Sequence, residues 1–129
     1  MDYADYVKQA EAAARLVESG DYQRARELLE QLIEAELSDR DKAMMSLNLA
    51  VVADKAGEMA EALRWYDRGI AYERAHGQVF VAECKAAYLA QQGRLQESLA
   101  LYESLLGRSG IDETTRERLR HNIELLKPA

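Results

Sequence analysis

Proline, cysteine and histidine are nearly missing from this sequence, with one, one and two copies in 129 residues. One cysteine, Cys84, excludes an internal disulfide and suits a reducing compartment. One proline and seven glycines in a chain rich in Ala, Leu, Glu and Arg point to an all-α fold. No run alternates apolar and polar residues over several positions, so strand signals are nearly absent. Excess positive charge is lacking too. The formal net charge is −6, and a nucleic-acid surface calls for a basic stripe, so no nucleic-acid partner is expected. No basic-then-apolar leader opens the sequence, and no apolar run approaches the roughly 20 residues that span a bilayer. The expectation is a cytoplasmic protein of one domain, 1–129, with no membrane partner.

What is present is organised around residues 46–72, SLNLAVVADKAGEMAEALRWYDRGIAY, which reads as two helices folded back on each other at Gly57. The first is apolar almost all round, with Met45, Leu49, Val52 and Ala56 on one side and Met44, Leu47 and Val51 on another. A helix apolar on every side is expected to be covered on every side. The second is one-sided, with Met59, Ala62, Leu63, Tyr66, Gly69 and Ile70. Taken in order, the spacing predicts helices over 2–19, 22–37, about 39–56, 58–75, 78–92, 94–106 and about 112–127. Asp21, Ser38 or Asp39, and Asp112 or Thr114 are candidate N-caps, while single glycines mark the ends. Turns this short make neighbouring helices antiparallel.

The turns repeat. Gly20, Gly57 and Gly93 lie 37 and 36 residues apart within ESGDYQRARELLEQL, KAGEMAEALRWYDRG and QQGRLQESLALYESL. Each glycine is followed two positions on by a large apolar residue (Tyr22, Met59, Leu95) and five on by a small one (Ala25, Ala62, Ser98). Four further on comes another large residue (Leu29, Tyr66, Tyr102). The small residue lets two helices approach closely, and the large one fills the gap to the next pair. A helix–turn–helix period in the thirties indicates a helical solenoid.

These residues resemble the tetratricopeptide repeat, from about Tyr6 to Leu106. The resemblance implies a right-handed α-solenoid of antiparallel hairpins, with repeats at about 6–39, 43–77 and 79–107 and a capping helix at about 112–127. Four features depart from the family. The period exceeds its usual length of about 34, and its closing proline is absent, with Ser38, Gly77 and Gly107 in the stopping positions. Lys85 lies where a buried leucine is usual, and Gly69 replaces an alanine at about 1 kcal/mol of helix propensity. Gly69 therefore either permits close packing or loosens its helix. In the capping helix Arg116, Glu117, Arg118, Arg120, His121 and Glu124 are expected to face water.

No catalytic or metal constellation emerges. His76 and His121 lack Cys, Asp or His partners at ligand spacing. Cys84 reads as a small buried hydrophobe, and no glycine-rich phosphate loop is present. No cofactor or enzymatic activity is expected. The resemblance implies instead a concave groove, lined by the first helix of each hairpin, that holds a protein or peptide partner. Aligned on the glycines, that face carries Val7, Ala10, Ala14 and Val17, then Met44, Leu47, Asn48, Val51 and Asp54, then Phe80, Glu83 and Ala87. Glu11, Glu18, Asp54 and Glu83 form an acidic fringe. Such a strip suits an apolar or amphipathic segment with basic flanks, consistent with a chaperone or adaptor. The small secretion chaperones of the family share the acidity and size.

Chaperone-binding members clamp a C-terminal carboxylate with cationic side chains. The matching positions here are Ala10, Ala14, Asn48, Phe80 and Cys84, which offer no cation, so that mode is excluded. The alternative is a homodimeric scaffold in which the strip is buried by the chain itself or by a second copy.

Overall fold

A computed structural model of the chain describes residues 2–128. Among these lie seven helices: α1 (Tyr3–Glu18), α2 (Tyr22–Ile33), α3 (Asp39–Lys55), α4 (Met59–Arg74), α5 (Phe80–Gln91), α6 (Leu95–Leu106) and α7 (Glu113–Leu126). Each packs on the next in chain order, giving the hairpins α1–α2, α3–α4 and α5–α6 with α7 closing the stack. The described residues contain no strand, and the architecture is a helical solenoid.

Local chemistry places the ends. Asp2, Asp21, Ser38 and Asp112 each accept the backbone N–H three residues on, capping α1, α2, α3 and α7. At Gly57, with φ of +79°, the N–H of Glu58 reaches back to the Ala53 carbonyl and that of Gly57 to Asp54. This left-handed turn closes α3, and Gly20 and Gly93 close α1 and α5 the same way. The second helix ends at Ile33, four residues before the predicted position. Its last turn carries no basic residue, and Glu34 and Glu36 follow at the negative end of the helix dipole, which they destabilise.

The small positions of the repeat, Ala25, Ala62 and Ser98, are fully buried between paired helices. Ser98 keeps its hydroxyl satisfied by donating to the Ala86 carbonyl at 2.6 Å. Leu29, Tyr66 and Tyr102 are buried at the gap-filling positions. One apolar cluster unites the first two hairpins and extends into α5 through Val81 and Tyr88. A second joins α5 and α6 to Leu119 and Ile123 of α7. Leu32, Leu49 and Leu119 are completely enclosed, and burial of each stabilises the fold by about 2 kcal/mol.

Gly69 marks the tightest approach. A Cβ there would lie 2.9 Å from Val81 Cγ1, 3.2 Å from Ser46 Cβ and 3.3 Å from the Ala43 carbonyl oxygen. Close packing of α4 against both α3 and α5, rather than a loosened helix, is what this glycine provides. Lys85, in place of the family leucine, borders a cleft with Leu63, Leu89 and Leu101 and pairs with Asp67 at 2.7 Å.

Two expectations are corrected. The third helix is not covered on every side: Met45, Leu49 and Val52 are enclosed, but Met44 and Val51 are each 37% exposed. The arginines of α7 are not all free in water. Half-buried Arg116 donates to the Leu106 carbonyl at 3.0 Å, and Arg118 is held by Glu83.

Candidate functional site: the inner face

The first helices of the three hairpins lie along one side of the stack, but the strip they form is not continuous. Ala10, Ala14 and Val17 of α1 meet Asn48 and Val51 of α3 around a hollow of about 300 Å³, floored by Ala13, Leu29 and Val52. Alanine side chains on α1 leave this volume empty where larger residues would close it. Glu18 is the one charged residue lining it. The Asn48 side chain makes no hydrogen bond within the described residues, so its amide is available at the wall.

The C-terminal part is built differently. Phe80, Glu83 and Ala87 of α5 line a second cleft of about 420 Å³ together with Cys84, Tyr102, Arg118 and Asn122. The capping helix thus forms one wall of it. Glu83, expected on the acidic fringe, is only 8% exposed. Its two carboxylate oxygens accept from Arg118 Nε at 2.7 Å and Nη2 at 3.0 Å, a bidentate pair that removes this acid from the rim. Phe80 keeps half of its surface open.

Met44, Phe80 and Glu83 also border a third cleft of about 430 Å³ at the starts of α3, α5 and α7. Val7 and Leu47 border none of the three. Both are half-buried and packed against the first apolar cluster, where they serve the core.

Glu73 is a residue that the sequence reading overlooked. It lies on the buried stripe of α4, one turn beyond Gly69, and is 2% exposed. The Val81 N–H donates to its Oε1 at 2.8 Å and the Ala82 N–H to its Oε2 at 3.0 Å. Val79, at the N-cap of α5, offers no capping side chain, so a carboxylate from the preceding helix replaces it. Burial pushes this carboxyl above its ordinary value, opposed by the two backbone donors and Arg108. An acid on an apolar stripe, in the last turn where the helix dipole disfavours it, was the available signal.

Reactive chemistry is poorly served here. Burial, followed by the Glu83 and Glu73 carboxylates, raises the Cys84 thiol and keeps it protonated, hence a weak nucleophile. His76 faces Asp39 at 3.5 Å on the surface, and His121 is exposed. Among the described residues no group of His, Cys, Asp and Glu is arranged to hold a metal ion, and no helix is long and apolar enough to cross a membrane.

The sequence model of the Tetratricopeptide repeat matches residues 9–77, more than half of the chain and the whole of α2, α3 and α4. No curated protein matches the chain in sequence. Consecutive antiparallel hairpins, small residues buried at a fixed place after each turn, and this match lead to one conclusion: the chain belongs to the tetratricopeptide repeat family, whose members generally mediate protein–protein interaction.

Proposed function

We propose that this chain is a non-enzymatic adaptor or small chaperone that holds an apolar or amphipathic segment of a partner protein against its inner face. In this reading the chain carries three repeats, at about 6–39, 43–77 and 79–107, and a cap at about 112–127. The observation that carries it is the open flank of α3. Met44 and Val51 stay 37% exposed on a helix whose Met45, Leu49 and Val52 are enclosed, and Val51 lines the alanine-walled hollow beside an unused amide at Asn48. Exposed apolar surface next to a formed cavity is the usual mark of an interaction site. Phe80 extends the same apolar character towards the third hairpin. The two buried carboxylates, Glu73 and Glu83, are both engaged in holding helices together.

Ala14→Trp fills the hollow without changing charge, and Val51→Glu makes its wall polar. Both positions are exposed, so circular dichroism is expected to show unchanged helicity. A partner recovered by the unaltered protein is expected to be lost by both variants; equal recovery by all three proteins refutes the reading. Leu47 is a poorer place for this test, because charge there strikes the core. The alternative occupant, a second copy forming a homodimer, predicts a doubled mass in sedimentation that Ala14→Trp halves.

A further inference from the structure

We infer that the segment seated in the α1–α3 hollow presents a large apolar side chain flanked by lysine or arginine; this rests on the inner-face reading above. Glu18 is the one charged residue lining the hollow, and Glu11 stands two turns before it on the exposed part of α1. Neither carboxylate is ion-paired among the described residues. Lys8 and Arg15 share the helix but do not line the hollow. By contrast the acid of the C-terminal cleft is already neutralised by Arg118. The same polarity runs through the whole chain. Residues 1–57 hold twelve Asp and Glu against seven Lys and Arg, while residues 58–129 hold eleven against ten. An apolar hollow with one unpaired acid in its lining and a second on the same exposed helix, in the more negative half of the molecule, attracts a cationic segment over distance and pairs with it on contact.

The test uses the full chain and a short fluorescent amphipathic peptide of leucine and lysine, with a twin in which glutamine replaces each lysine. The lysine peptide is expected to bind more tightly than its twin. Glu11→Gln with Glu18→Gln is expected to weaken it roughly fivefold, the scale of two rim charges. Glu103→Gln with Glu117→Gln, which changes net charge equally on α6 and α7, is expected to leave it unchanged. Equal binding of the two peptides, or an equal loss in the α6–α7 variant, overturns the basic partner. If Ala14→Trp alters the binding of neither peptide, the inner-face reading itself falls.

Discussion

The joint between the first and second hairpins and the joint between the second and third are the same step of one repeat, made with different chemistry. At the first, Leu29, Leu32 and Ile33 of α2 join the apolar residues of α3 in one cluster, Arg26 pairs with Glu58 and Glu61 at the partly open start of α4, and Ser38 caps α3 from an exposed turn. At the second, Gly69 brings α4 within contact distance of α5, and a buried carboxylate, Glu73, caps α5 across the joint. Apolar packing accepts volume-conserving changes, whereas a buried polar contact must be fully satisfied or it costs more than it contributes. The hollow lies beside the first joint, and the second fixes one helix against the next. The cap continues the second manner, with Arg118 clamping Glu83 and Arg116 holding the end of α6.

Breaking each joint at its cap tests this difference most sharply. Glu73→Ala leaves two enclosed backbone donors without a partner and is expected to destabilise the protein by about 3 kcal/mol. Ser38→Ala frees the Asp41 N–H, which can turn to water, and is expected to cost about 1 kcal/mol. Urea denaturation measures both; equal losses would mean that the two joints are energetically alike.

Removing the clamp has a smaller effect than removing Glu73. Arg118→Ala leaves Glu83 without its cation, but solvent reaches the arginine side, so a loss of about 1–2 kcal/mol is expected. Hydrogen exchange should quicken in α7 and leave α1–α3 unchanged. Quickening throughout the chain would show that the cap stabilises both regions equally.

The smallest effect concerns pH. Because burial raises the Glu73 carboxyl, the folded chain binds that proton more readily than the unfolded chain does. Its contribution to stability is present below the ordinary glutamate value and is lost as pH rises through the folded value. The stability of the unaltered protein relative to Glu73→Gln should therefore improve as pH falls from neutral into the window just above ordinary glutamate. A difference independent of pH would show that Glu73 does not titrate differently in the fold.

Much of this architecture was legible in the chain because local physics sets it. Glycines with left-handed backbones at Gly20, Gly57 and Gly93, Asp and Ser caps, and the spacing of Ala25, Ala62 and Ser98 define helices and their pairing from near neighbours in sequence. The candidate hollow was legible in part, since Ala10, Ala14, Val17, Asn48 and Val51 do come together. The fate of other inner-face residues was not. Whether Glu83 is a free acid depends on Arg118, 35 residues away. Whether Leu47 serves the core and Val51 the surface depends on where neighbouring helices stop. The use of Glu73 as a cap depends on Gly69 drawing α4 onto α5. Periodicity specifies which residues share a face of one helix; only the packed stack decides which faces remain open, because burial and charge pairing belong to contacts between helices.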